Sequence, residues 1–119
     1  MKLPSESYLL RVFVGESDKC ERGKPLYETI VEKARKRGLA GATVLRGFMG
    51  FGANSRIHTS KILRLSEDLP VIVEIVDKEE RIEEFLPELD VMIKEGLVTL
   101  EKVRIIAYRH RGGDGGVER

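Results

Sequence analysis

The feature that most constrains this chain is a local order spelled twice. Residues 8–15 (YLLRVFVG) are rich in β-branched and aromatic side chains between polar flanks, which predicts a strand. Pro25 then suits the first turn of a helix, where its missing N–H costs nothing. Leu26, Tyr27, Ile30, Val31 and Ala34 recur at helical spacing and leave Glu28, Glu32, Lys33, Arg35, Lys36 and Arg37 outward, with Glu32 and Lys36 spaced to pair. Gly38 ends that helix in the left-handed conformation. A second strand runs from about Ala42 into a glycine-rich phrase.

The order then repeats. Residues 69–76 (LPVIVEIV) predict a third strand, with Pro70 tolerable near its beginning or on an edge. Asp77 and Glu80 have capping-box spacing and open a second helix, with Ile82, Phe85, Leu86, Leu89 and Ile93 on one face. Pro87 lies inside it and removes a backbone bond. Gly96 ends the helix, and residues 97–108 give the last strand. Arg37-Gly38-Leu39 and Glu95-Gly96-Leu97 are matching phrases before a strand. Two strand–helix–strand halves in one small domain imply an α+β fold, the ferredoxin-like βαββαβ sandwich. Right-handed crossovers put both helices on one face of an antiparallel four-stranded sheet.

That arrangement leaves the second sheet face bare. Alternation splits Tyr8, Leu10, Val12 and Val14 from Leu9, Arg11 and Phe13, then Val71, Val73 and Ile75 from Ile72, Glu74 and Val76, and Val103, Ile105 and Ala107 from Arg104, Ile106 and Tyr108. Either choice leaves a mostly apolar uncovered face, with Arg11, Glu74 and Arg104 as charge partners. Such a face marks an association surface, so a homo-oligomer is expected.

The 119 residues allow a single domain with one modest core, about residues 6–109, and a tail (110–119) expected to be flexible. The formal charge of +1 excludes a uniformly basic nucleic-acid binder. One cysteine, Cys20, and two distant histidines exclude an internal disulfide and a zinc constellation, so neither metal nor cofactor is expected. The first residues lack an apolar run long enough for a signal peptide or membrane span, which makes the cytoplasm the default location.

The candidate site is residues 42–60, ATVLRGFMGFGANSRIHTS. Residues 41–66 hold four cations, Arg46, Arg56, Lys61 and Arg64, and no Asp or Glu. Glycine-freed backbone can turn N–H groups toward an anion, and guanidinium groups add charge-assisted donors. The bland alternative for Gly47 to Gly52 is a bulge and turn with phenylalanines packed beneath. A short pairing at residues 62–65, where the loop returns, is also expected. His58 beside Thr59 and Ser60 lacks a carboxylate near in sequence, so no catalytic residue is assigned.

The βαββαβ pattern, the phrase Thr43-Val44-Leu45-Arg46-Gly47-Phe48-Met49-Gly50-Phe51-Gly52 and the ending Gly96-Leu97-Val98-Thr99-Leu100-Glu101-Lys102-Val103 resemble a family of uncharacterised PII-like proteins. The resemblance covers about residues 6–109. It implies a PII-like trimer binding an adenine nucleotide in inter-subunit clefts, with a loop after strand two reporting the ligand to a transporter or enzyme. By that resemblance Gly50, Phe51 and Gly52 meet the ligand, residues 53–60 form a shortened loop, and Arg109 and Arg111 contact phosphate. Arg46, Gly47, Arg56 and His58 complete the candidate set. The glycine-rich phosphate cradle that PII proteins carry before the last strand is reduced to Gly96 and Leu97, so a monophosphate, a cyclic nucleotide or another small anion suits the site as well as ATP. The implied function is a non-catalytic regulator; the alternatives are an oligomeric enzyme with an inter-subunit active site and an RNA-binding module.

Overall fold

The computed structural model describes residues 2–51, 58–59, 68–111 and 116–118. Along the chain the elements are β1 (Lys2–Pro4), β2 (Glu6–Gly15), α1 (Leu26–Lys36), β3 (Ala42–Arg46), β4 (Met49–Gly50), β5 (His58–Thr59), β6 (Pro70–Asp77), α2 (Glu79–Met92), β7 (Leu97–Arg104) and β8 (Gly116–Glu118). Four strands form one sheet in the order β3-β6-β2-β7, every neighbour antiparallel. This is the ferredoxin-like order that the doubled strand–helix–strand pattern predicts. The expected pairing at 62–65 lies outside the described residues.

Period-two alternation sorts the strands. Leu10, Val12 and Val14 of β2 and Val71, Val73 and Ile75 of β6 are buried against the helix layer. Ile30 and Ala34 from α1, and Ile82, Phe85 and Leu89 from α2, close the core above them. The helix α1 lies on β3 and β6, and α2 lies on β2. Edge strand β7 has no helix over it, so Val98 and Leu100, although on the helix side, stay exposed.

Directly opposed residues in an antiparallel ladder share a face, so the register assigns the open side row by row. Leu97, Phe13, Ile72 and Leu45 form an apolar row with one residue from each strand. Thr99, Arg11, Glu74 and Thr43 form the next row, and Glu101, Leu9 and Val76 the one after. The Arg11 guanidinium donates from Nε to Glu74 at 2.9 Å and from a terminal nitrogen to Glu101 at 2.6 Å. The hydrogen bond to Glu74, then that to Glu101, raises Arg11 above its usual range.

The face expectation needs one correction. Arg104 lies opposite Glu6 on the helix side, and Glu101 is the third charge of the open face. The cause is the register of β7, which places residues 97, 99, 101 and 103 on the open side.

Helix α1 follows its sequence pattern closely. Pro25 sits at its N-cap, Arg37 caps its C-terminus, and Gly38 follows at φ +75°. Its outward charges pair differently from the helical spacing, because Glu32 meets Lys24 from the preceding turn.

Helix α2 departs more. It starts at Glu79 with Lys78 as N-cap and has no side-chain cap. Asp77 does not cap it: fully buried, its carboxylate accepts the N–H groups of Ala40 at 2.9 Å and Lys78 at 2.7 Å. It thereby ties the start of β3 to the end of β6. Replacing Asp77 with Ala leaves two donors without partners, and urea unfolding should show a loss of about 2–6 kcal/mol, one buried-donor penalty for each.

The helix also ends at Met92, before Gly96. Gly96 serves a different need, since a Cβ there would lie 2.6 Å from the Phe13 carbonyl oxygen. Pro87 is accommodated within the helix.

The last strand ends at Arg104, and the Ile105 N–H adds one further bond in the same register, to the Ser5 carbonyl at 2.7 Å. The chain then crosses the end of the sheet, where the Tyr108 hydroxyl reaches the Ala40 carbonyl at 3.5 Å. The tail was expected to be without structure, yet residues 116–118 pair in parallel with β1, Leu3 opposite Val117. Leu3 is buried there, which gives the pairing an apolar contact and extends the ordered chain beyond residues 6–109.

Candidate functional site

The glycine phrase sits at one end of the sheet, where β3 finishes and β6 begins. Pro70 opens β6 and cannot donate a hydrogen bond, but its carbonyl accepts the Gly47 N–H at 2.8 Å. The chain then crosses the proline ring. A Cβ on Gly47 would lie 2.8 Å from Pro70 Cγ, and one on Gly50 would lie 3.0 Å away, so glycine is what lets the ribbon sit this close. Beyond it, Met49 pairs with Thr59 and Gly50 with His58 in the β4–β5 ribbon.

Phe48, Met49 and Phe51 are 74%, 60% and 69% exposed, so the aromatic rings project outward from this protomer. The alternative in which they pack beneath a bulge does not hold. Gly52 and Arg56 lie outside the described residues, and His58 is placed by its backbone pairing alone.

The electrostatics of this end were not legible from residues 41–66. Arg46 donates to Glu16 Oε1 at 3.0 Å, so its charge is already shared. Ser17 N–H donates to Asp68 at 2.7 Å and Gly15 N–H to Asp18 at 2.9 Å. Carboxylates from the β2–α1 turn and the start of β6 thus fold in beside a stretch that has none in its sequence. Period and composition gave no signal for these partners, since Glu16 and Arg46 are 30 residues apart.

Arg109 and Arg111, both exposed, follow the crossing at the other end of the sheet. His110 stacks edge-on with Tyr108, ring centroids 5.9 Å apart, and its Nδ1 lies 3.3 Å from the Arg111 carbonyl. Tyr108 is anchored at Ala40, before β3 starts, whereas Gly47 follows its end. The five residues of β3 separate them by roughly 17 Å at about 3.4 Å each. One protomer therefore does not bring the glycine ribbon and the tail arginines together.

Cys20 lies half-buried in the turn before α1, a free thiol. A hydrogen bond from the Thr29 hydroxyl, at 3.5 Å, holds it below the usual thiol range. Among the described residues no group of three or more His, Cys, Asp or Glu side chains is placed to hold a metal ion. No helix among them is long and apolar enough to cross a membrane.

An antiparallel β3-β6-β2-β7 sheet with two helices on one face is a ferredoxin-like fold, and its neighbours among solved structures are PII-like proteins. A putative PII-like signalling protein from Thermus thermophilus superimposes with TM-score 0.62 at 18% identity, over 89% of this chain and 94% of that one. CPII, a nitrogen regulatory PII-like protein from Thiomonas intermedia bound to ADP, AMP and bicarbonate, gives TM-score 0.57 at 15% identity, over 84% and 88%. At these identities the likeness concerns the fold alone.

Within that class the chain belongs to the DUF190 family, described as an uncharacterised ACR, whose pattern matches residues 7–105. A UPF0166 protein of Aquifex aeolicus is 46% identical over 98 residues, which is 82% of this chain and 91% of that protein. A second, from Methanocaldococcus jannaschii, is 40% identical over 93 residues, 77% and 84% of the two chains.

Proposed function

We propose that this chain is a non-catalytic regulatory protein whose copies associate through their open sheet faces and bind a small anion, an adenine nucleotide, at the seams. The observation that supports this reading is the separation of the two groups of candidate residues in one protomer. Gly47, Gly50, Phe51 and Arg46 stand at one end of the sheet and Arg109 and Arg111 at the other, so a complete set requires two copies. Gly52, Arg56 and His58, which follow in sequence, are the further candidates we group with the first half.

The open face supports association. Four strands about 4.8 Å apart, five residues long in β3, ten in β2 and eight in β6 and β7, give a flat footprint of roughly 500 Å² before side-chain relief. A standard interface covers about 800 Å² per partner, so a second copy would cover most of it. The ADP and AMP bound to CPII make adenine nucleotides the first ligands to test. The loop at residues 53–60 then reports occupancy to a partner such as a transporter or enzyme, and a ligand shifts that loop only by its difference in affinity for the two loop states. A PII-like trimer in the cytoplasm is the corresponding arrangement.

Calorimetric titration with AMP, cyclic AMP, ADP and ATP tests the reading. Silence from all four, with tight binding to an oligonucleotide, would sink it in favour of a nucleic-acid module. Arg109→Ala should weaken nucleotide binding by about 1.5–3 kcal/mol if its guanidinium meets phosphate. An unchanged titration would remove Arg109 from the site.

A further inference from the structure

After Ile105 the chain leaves the sheet and comes back to where it left. The Ile105 N–H donates to the Ser5 carbonyl at 2.7 Å, and from Gly116 the chain pairs in parallel with β1, Gly116 opposite Lys2, Val117 opposite Leu3 and Glu118 opposite Pro4. Both attachments fall on residues 2–5, so the segment between them is closed into a loop. Arg109, His110 and Arg111 stand on that loop, all exposed, and the Tyr108 hydroxyl reaches the Ala40 carbonyl on its near side.

The two sides of the closure differ in strength. Strand β1 is the fixed side: the Ser7 hydroxyl, fully buried at the start of β2, donates to the Pro4 carbonyl at 2.8 Å. Strand β8 is the weak side. It has three residues, and its one strand neighbour among the described residues is β1. Parallel pairing is the less stable kind per residue, and a two-stranded ribbon is marginal in water. The apolar support is Leu3, buried but outside the main core, opposite half-buried Val117.

Such a unit opens locally at lower cost than the four-stranded sheet. With β8 released, Arg109 and Arg111 stand on a chain held at one side only; with β8 paired, they are confined to a closed loop with fewer conformations. A guanidinium already confined loses less freedom on meeting an anion, so binding and pairing favour one another.

We propose that β1 and β8 form a clasp coupled to anion binding at Arg109 and Arg111: it opens and closes in the free protein, and a nucleotide phosphate held by those arginines keeps it closed. This coupling rests on the anion-binding reading given above and adds to it a conformational switch at the opposite end of the sheet from the glycine ribbon.

Amide hydrogen exchange of the full chain, followed by NMR with and without ADP, reads the clasp directly. Amides of β8 should exchange at least tenfold faster than those of β2 in the free protein, and slow at least fivefold at saturating ADP. Leu3→Asn combined with Val117→Asn removes the apolar contact without changing charge, and should raise the ADP dissociation constant at least fivefold in calorimetric titration. Helical circular dichroism confirms that the core, which contains neither residue, stays folded, and Val117→Asn alone replaces the pair should it misfold. Amides of β8 as slow as those of β2 in the free protein, or unmoved by ADP that binds, overturn the clasp alone. So does a double variant that binds ADP like the wild type, because coupling between two equilibria is reciprocal. AMP, cyclic AMP and ATP are titrated alongside, and one that binds takes the place of ADP should ADP be silent. Silence from all four overturns the anion-binding reading, and the coupling with it.

Discussion

Phe85→Ala should lower unfolding free energy by about 3–5 kcal/mol, the range for emptying a buried aromatic site, and lower the melting temperature by about 12–20 °C. Phe85 is 1% exposed and sits among the residues that join α2 to β2 and β6, with Leu10, Val12, Ile82 and Leu89 in the same core. The collapse that limits such losses elsewhere is restricted here. Phe85 itself stands on a continuous helix that carries Pro87 within it, and below it lies a sheet fixed by ladders on both sides of β2. A domain of this size has roughly 6–18 kcal/mol of total stability, so the loss is a large fraction of it. Urea unfolding followed by helical circular dichroism measures it. Leu86→Ala, at a half-buried position on the same helix, should cost less. If the two variants unfold alike, α2 does not pack through Phe85.

The contrast between these positions shows what the sequence carried. Ile82, Phe85 and Leu89 repeat at helical spacing, so the helix's buried face was legible in the sequence, whereas period-two alternation offered two strand faces and only the fold selects Leu10, Val12 and Val14 as the buried one. Burial depends on local periodicity, and periodicity is local information. Pairing register is not. The sequence grouped Arg104 with Arg11 and Glu74 because alternation alone does not say which parity of the last strand faces the helices. The register that ends at Glu6 opposite Arg104 moves that side chain to the helix layer and brings Glu101 to Arg11.

The candidate site follows the same division. Gly47 and Gly50 stood out as freed backbone for an anion, and the structure adds a steric reason for glycine that the sequence did not carry, the ring of Pro70. Nothing near Arg46 in sequence announced Glu16, and nothing near Ser17 announced Asp68. Asp77 was misread for a related reason. Its spacing to Glu80 satisfies a capping box, but Ala40 offers a donor from 37 residues away that a linear reading does not see.

Leu45→Asp combined with Leu97→Asp should abolish self-association while leaving the fold in place. These residues end the apolar row that crosses the open face, on the two edge strands, and they are 44% and 56% exposed in the protomer. In the isolated chain each carboxylate therefore remains in water, and the urea midpoint should move little. At a seam between copies each would be an unpaired charge removed from solvent. Each costs several kcal/mol to bury, so the pair should weaken association by more than about a thousandfold. Light scattering at micromolar concentration should then report the 13.5 kDa protomer in place of a multiple of it. The nucleotide titration separates two outcomes. If binding disappears with association, the two halves of the site do meet across a seam. If the double variant is monomeric and still binds, one protomer suffices and the tail arginines act apart from the glycine ribbon. An assembly that survives both aspartates would place the contact elsewhere, with the uncovered helix-side residues Val98 and Leu100 of β7 as the next surface to alter.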